Sequence, residues 1–226
     1  MRLNCVNSGS NANCYFLTNS AGEILILDCG VKLDRLMRDK GFTRFKNVAG
    51  ALITHQHKDH SLSVPDLENA GVSVFGYMNL EPKKRYRIGQ FDVIPFYVEH
   101  DVMNYGFIIN ERGKNERFVY ATDCAALPLI EGIDNWLIEC NYTNEKWEEN
   151  LINDDKKINY YGRVFQSHMG LDTLTDYFER VTKKAKNIIL CHLSESGNAD
   201  KSEMLERMSK YAERVDIATR NKEWIL

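Results

Sequence analysis

No run of 18 apolar residues occurs in the 226-residue sequence, so no segment is expected to cross a membrane. Met1-Arg2-Leu3-Asn4 is not expected to begin a secretory leader. The six cysteines, Cys5, Cys14, Cys29, Cys124, Cys140 and Cys191, form no C-x-x-C pair, which excludes a zinc ribbon. They are expected as small, buried, reduced thiols near strand ends, in a cytoplasmic protein. The chain also lacks tandem repeats, low-complexity tracts and any linker rich in Pro, Gly or Ser. A net charge of −3 argues against a broadly basic nucleic-acid clamp, although bound metals can make a cleft locally positive. With 43% hydrophobic residues the chain can build a core, and one domain over 1–226 is expected.

Histidine is scarce too, and its placement is informative. There are six: His55, His57, His60, His100, His168 and His192. Three fall within His55-Gln56-His57-Lys58-Asp59-His60, directly after the apolar run Gly50-Ala51-Leu52-Ile53-Thr54. A buried strand leading into His-X-His-X-Asp-His is a way to build two adjacent metal sites. Neutral imidazoles suit zinc, and the carboxylate can hold a second ion or its water. His100 and His192 follow apolar strands, as do Asp28, Asp123 and Glu139. Groups at strand ends come together on one edge of a sheet pair. Singly, His100 reads as a surface residue and His168, in Gln166-Ser167-His168-Met169-Gly170, as a polar group near a helix start; together they read as one site.

The rest of the pattern gives an α+β order. Cys14 to Thr18 and Ile24 to Leu27 predict a hairpin across Asn19-Ser20-Ala21-Gly22. Val31 to Lys40 carries helical spacing at Leu33, Leu36 and Met37, with Gly41 as a stop. Strands are predicted at Ala51–Ile53, Val72–Phe75, Phe91–Phe96, Phe107–Ile109, Phe118–Ala121, Trp136–Ile138, Asn187–Leu190, Val215–Ala218 and Trp224–Leu226. Helices are predicted at Pro65–Ala70, Trp147–Asn153, Leu171–Lys184 and Lys201–Ala212. The charged segment Glu145 to Lys157 reads as a solvated face. Two sheets with outer helices follow from this order.

With the complete H-x-H-x-D-H motif, the chain resembles the metallo-β-lactamase superfamily. Its landmarks follow in the family's order: Leu27-Asp28-Cys29-Gly30, Ile53-Thr54-His55, Glu99-His100-Asp101, Thr122-Asp123 and His192-Leu193-Ser194. Ser8-Gly9-Ser10-Asn11-Ala12-Asn13, Ile138-Glu139-Cys140-Asn141-Tyr142 and Ser167-His168 look most like the small YycJ-like (WalJ) branch, related to ribonuclease Z. Ala12-Asn13, Ser61-Leu62-Ser63 and Met169-Gly170-Leu171 depart from that branch's pattern. The resemblance implies a four-layer αββα sandwich. It implies two divalent ions, zinc or manganese: one held by His55, His57 and His100, the other by Asp59, His60 and His192. Asp123 bridges them, and Asp28 orients the histidine loop by hydrogen bonds.

Two ions about 3.5–4 Å apart share a water and turn it into a hydroxide nucleophile near neutral pH. The resemblance further implies that His168 donates a proton to the leaving oxygen and that Glu139 orients it. With Asp59, these form the expected catalytic set. The expected function is a phosphodiesterase on nucleic acid, DNA before RNA, acting as a 5′ to 3′ exonuclease. The alternatives are a small-molecule hydrolase on the same metals, such as a cyclic phosphodiesterase or lactonase, and a non-catalytic metal-binding protein. Lys83-Lys84-Arg85-Tyr86-Arg87 is a candidate phosphate contact, or a solvated turn. Tyr160-Tyr161-Gly162-Arg163 is a candidate base-stacking segment, or packing.

Overall fold

The computed structural model describes residues 1–35, 46–153, 158–195 and 198–226, without the side chains of 153, 158–161 and 163. The strands are β1 (Arg2–Asn7), β2 (Cys14–Thr18), β3 (Ile24–Leu27), β4 (Val48–Ile53), β5 (Val74–Gly76), β6 (Tyr86–Ile88), β7 (Phe91–Val98), β8 (Asn104–Glu111), β9 (Arg117–Ala121), β10 (Asn135–Glu139), β11 (Ala185–Cys191), β12 (Ala212–Ile217) and β13 (Glu223–Ile225). The helices are α1 (Lys58–Ser61), α2 (Val64–Asn69), α3 (Asn144–Asn153), α4 (Ile158–Ser167), α5 (Leu171–Arg180) and α6 (Lys201–Met208). One sheet runs β13-β1-β2-β3-β4-β5, the other β12-β11-β10-β9-β8-β7-β6.

The central strands are apolar on both faces because each face meets a core. Tyr15, Leu17, Leu25, Leu27 and Leu52 from the first sheet pack on Phe107, Phe118, Tyr120, Leu137 and Ile189 from the second. The alternate residues Val119, Trp136, Ile138, Ile188 and Leu190 face outward, against Leu174, Phe178, Met204 and Met208 of α5 and α6. On the far side, Phe16, Ile26, Ala51 and Ile53 meet Leu67 of α2. Period-2 alternation therefore sorts side chains between two apolar layers rather than between core and water. Each fully buried side chain of this kind contributes roughly 1.5–3 kcal/mol. The result is the αββα layering and α+β class expected from the sequence.

Strand direction places the site. β3, β4 and β5 pair in parallel, with Leu27 opposite Leu52. β9, β10 and β11 also pair in parallel, with Ile138 opposite Ala121 and Glu139 opposite Cys191. Parallel strands end on the same side, so Asp28, His55, Asp123, Glu139 and His192 emerge at neighbouring C-terminal ends, where ligands of open sheets bind.

Several boundaries differ from the sequence reading. α5 stops at Arg180 because Val181 turns extended, with φ −80° and ψ 123°, to lead into β11. α6 ends at Met208, followed by a 3-10 turn at Ser209–Tyr211, and β12 begins at Ala212. α3 begins at Asn144, ahead of the expected Trp147. α4 was not anticipated, nor was β6, which lies at a sheet edge and takes in Tyr86 and Arg87 of the basic stretch. A helical turn over 33–35 starts the expected Val31 to Lys40 helix; Leu36, Met37 and Gly41 lie outside the described residues, as does the end of the Glu145 to Lys157 segment.

Candidate metal centre

The second half of the histidine motif, Lys58–Ser61, folds as one tight helical turn. His57 precedes α1, and its carbonyl accepts from the amides of His60 and Ser61, both at 2.9 Å. That turn sits against the backbone after β3: Cys29 N–H donates to His60 O at 2.8 Å, and Asn13 N–H to Asp59 O at 2.7 Å. Gly30 is required here, because a Cβ at that position would lie 1.6 Å from Asp59 O. Asp28, Asp123 and His192 each follow the last strand residues with positive φ, 55°, 51° and 52°. Non-glycine residues held in the left-handed region cost energy, and such positions cluster at functional sites.

The six imidazoles converge, and most have one nitrogen already engaged. His60 Nδ1 lies 2.7 Å from Asp28 Oδ2. His55 Nδ1 lies 3.0 Å from Thr54 Oγ1, whose hydroxyl donates to Asp28. His100 Nδ1–H donates to Ser167 O at 3.0 Å. Glu139 Oε1 is 2.7 Å from His168 Nδ1 and 3.0 Å from His192 Nδ1. Each of these bonds fixes a ring and leaves its Nε2 for something else. The exception is His57, whose Nε2 faces Asp101 at 3.6 Å while Nδ1 turns inward, 3.4 Å from His100 Nε2.

The remaining nitrogens surround one carboxylate. Asp123 Oδ2 is 3.3 Å from His60 Nε2, 3.7 Å from His55 Nε2 and 3.9 Å from His100 Nε2. Among the described residues three groups able to hold an ion share Asp123: His55, His57, His100 and Asp123; Asp59, His60, Asp123 and His192; and Asp123, Glu139, His168 and His192, in which Glu139 already bonds both histidines. Asp59 Oδ2 lies 3.2 Å from His60 Nε2 and 3.7 Å from His192 Nε2. The Nε2 atoms of His55 and His192 are buried with no hydrogen-bond partner. Two imidazole nitrogens orphaned in a buried carboxylate cluster fit a divalent cation, as does the mixed nitrogen and oxygen donor set.

The electrostatics agree. Burial, then repulsion from His60, pushes the His55 imidazolium down to about 2, which keeps that ring neutral. Burial also holds His100 below its usual range. Burial opposes charge on His60 and His192, but the Asp123 carboxylate outweighs it and raises both. Burial opposes ionisation of Asp123 and Asp59 as well, yet the adjacent histidines keep both carboxylates well below the normal range. Asp59 and Asp123 therefore stay anionic in a buried pocket, a charge that a bound cation would neutralise.

All the expected site residues meet here. Ser10, His57, Asp59, His100, Asp101, Asp123, Asn141, Ser167, His168 and His192 line a cleft of about 280 Å³. A second depression of about 390 Å³, beside Phe178, Lys183, Lys184 and Lys210, contains none of these groups. Glu139 is fully buried; its second oxygen accepts from Cys124 N at 2.8 Å and Met169 N at 3.2 Å. His168 closes α4, its amide donating to Val164 O at 2.9 Å. The sequence reading missed Tyr120, whose hydroxyl donates to Asp28 Oδ2 at 2.5 Å from the opposite sheet. It also assigned no role to Thr54 or to Asn13, whose Nδ2 lies 3.1 Å from His60 Nε2. Lys83 to Arg87 do not line the cleft; Arg85 borders a separate depression with Asp92 and Asn110. The side chains of Tyr160, Tyr161 and Arg163 lie outside the described residues.

Neither a protein-family model nor a curated protein sequence matches the chain. Solved structures do. The metallo-β-lactamase fold protein YhfI from Bacillus subtilis aligns with a TM-score of 0.76 at 17% identity, over 99% of each chain. A diphosphatase from the PhnP family aligns at 0.68 and 13% identity, over 100% of this chain and 97% of that one. The short form of human tRNase Z aligns at 0.65 and 14% identity, over 100% of this chain and 99% of that one. The chain thus has the metallo-β-lactamase fold.

Proposed function

We propose that residues 1–226 work as one metal-dependent phosphodiesterase domain, acting on nucleic acid. The observation that carries this reading is the pair His168 and Glu139 beside the shared carboxylate, with Nδ1 to Oε1 at 2.7 Å. His55, His57 and His100 would hold one divalent ion, Asp59, His60 and His192 a second, and Asp123 both. Zinc and manganese each suit these donors. When bound, such ions supply Lewis acidity and activation of a water at neutral pH.

The chain's own residues do the rest. Hydrolysis adds water across a P–O bond, and the leaving oxygen needs a proton. His168 lines the cleft with Nδ1 held by Glu139, so Nε2 is the nitrogen that delivers it. Burial opposes the imidazolium of His168, but Glu139 outweighs it and raises its affinity for the proton. An ester with a poor alkoxide leaving group, such as a nucleic-acid backbone, uses this proton most. The similarity to tRNase Z and to a PhnP-family diphosphatase supports phosphoester chemistry. The finer choice, a DNA exonuclease running 5′ to 3′, rests on the resemblance of the motifs to the YycJ-like branch.

A second reading, a small phosphodiester as substrate, is favoured by a described cleft lining that has no Lys or Arg. One assay separates the two. Purified protein with zinc or manganese is offered 5′-labelled single- and double-stranded DNA, RNA and a chromogenic phosphodiester, with Asp59→Ala as control. Shortening of the DNA from its 5′ end is expected. Cleavage of the small ester alone replaces nuclease with small-molecule hydrolase, and inert protein with both ions bound ends the enzymatic reading.

A further inference from the structure

We infer that the exposed ring of Phe165 is a stacking platform for the nucleobase of a single terminal nucleoside, on the leaving-group side of the cleft. This deepens the phosphodiesterase reading and rests on it.

Phe165 lies on α4 and is 55% exposed, although it touches other rings. Full burial of a phenyl group would stabilise the fold by roughly 1.5–3 kcal/mol, and much of that is left unused here. The helical bonding continues from Val164 O to His168 N, so Phe165 and His168 stand three residues apart on adjoining positions of one helix surface. Val164, Ser167 and His168 line the cleft, and Phe165 flanks them. A group attached to the oxygen that His168 protonates therefore leaves the cleft beside this ring.

The ring is also held in place. Its centroid is 5.4 Å from Trp147, at 39° between planes, and 6.4 Å from Tyr142, at 34°. Tyr142 is buried and pinned: a Cβ on Gly170 would meet its ring at 2.4 Å. A tilted aromatic stack with one open face, next to a proton donor, offers what a base needs, since each base has a π-face and stacking requires no particular hydrogen-bond pattern.

The surroundings limit how much substrate extends that way. α3, which carries Trp147, exposes Glu145, Glu148 and Glu149, and its Lys146 is 2.8 Å from Glu149. A continuing polyanion would meet like charge there; an uncharged base would not. The leaving side thus suits one nucleoside.

Metal-loaded protein is titrated with adenosine 3′-monophosphate, whose nucleoside hangs from the oxygen that leaves, and with ribose 3-phosphate while tryptophan emission is followed. Trp136 and Trp224 are buried, so Trp147 is the reporter next to the platform. The nucleotide is expected to quench and to bind more tightly than the sugar phosphate, and Phe165→Ala to weaken nucleotide binding about tenfold while Phe165→Trp retains it. Equal binding of the two ligands, or nucleotide binding unaffected by Phe165→Ala, overturns the platform. In parallel, a dinucleotide is compared with one whose leaving residue is abasic. The Phe165→Ala penalty in kcat/KM is expected to be about tenfold larger on the intact dinucleotide. Protein that binds the nucleotide through Phe165 yet cleaves neither dinucleotide overturns the phosphodiesterase reading instead.

Discussion

Oε1 of Glu139 sits between two histidines, 2.7 Å from Nδ1 of His168 and 3.0 Å from Nδ1 of His192. One buried oxygen thereby aims a proton donor and a candidate ligand at the same cleft. Removal of the proton donor and removal of its orienting group are expected to cost similar amounts. His168→Ala and Glu139→Gln should each lower kcat about 10²–10⁴-fold on a nucleic-acid substrate. On a p-nitrophenyl ester the His168→Ala loss should fall to a few-fold, because that leaving group departs without a proton. An equal loss on both esters would mean His168 acts on something other than the leaving oxygen.

Asp123 belongs to every candidate ion group, whereas His55 belongs only to the group with His57 and His100, and His192 to none that contains His55 or His57. Metal content should follow that asymmetry. Wild-type protein is expected to bind about two ions and His55→Ala or His192→Ala about one, with Asp123→Ala binding least. Elemental analysis after gel filtration gives the ratios. Chelation should also lower the melting temperature, since an ion at a hundred times its Kd stabilises the folded state by about 2.7 kcal/mol. A melting temperature indifferent to zinc, manganese and chelator would contradict a metal centre.

The part of this centre that was legible in sequence is the part written along the chain. His55 to His60 is contiguous, and His100, Asp123 and His192 each end an apolar strand, so period and termination mark them. Glu139 is marked by the same strand-end pattern, but its role and that of His168 were legible only through resemblance, because nothing local in Ser167-His168 states that a helix ends there. α4 escaped notice for a physical reason: Tyr160, Tyr161 and Gly162 have poor helical propensity, and Gly162 alone costs about 1 kcal/mol against alanine. The overlong reading of α5 has the opposite cause. Val181 keeps the apolar period of Leu174, Tyr177 and Phe178, yet the chain must already turn toward β11. Contacts across sheets, such as Tyr120 with Asp28, are invisible to a pattern that gives the face of a strand and not its partner.

That inter-sheet contact has a measurable consequence. Asp28 is wholly buried and accepts from Thr54 N at 2.8 Å, Tyr120 Oη at 2.5 Å and His60 Nδ1 at 2.7 Å. Tyr120→Phe keeps the ring and its edge contact with Tyr15, 5.7 Å between centroids, but removes one donor from the carboxylate. Stability should fall by about 1–3 kcal/mol. The ion at Asp59, His60 and His192 should bind about 10–100-fold more weakly, because His60 loses part of what orients it. The ion at His55, His57 and His100 should be affected less. Competition against a chromophoric chelator reads the two affinities, and equal weakening would reduce Tyr120 to a packing residue.

The far end of β10 offers a test of pH dependence away from any ion. Asp134 accepts from Lys183 Nζ at 2.7 Å and from Arg117 N at 3.0 Å. Burial alone would raise its pKa, but the Lys183 bond and the Arg117 amide outweigh burial and hold it below the ordinary carboxylate range. With the folded pKa below the unfolded one, the unfolded chain binds more protons. The stabilisation is therefore present above about pH 4 and is lost as pH falls through the folded value. Asp134→Asn should cost about 1–2 kcal/mol at pH 7 in urea unfolding, since it replaces a charged acceptor with a neutral one. The difference from wild type should shrink steadily below about pH 4. A gap that stays constant down to pH 2.5 would assign the loss to packing, not to the carboxylate charge.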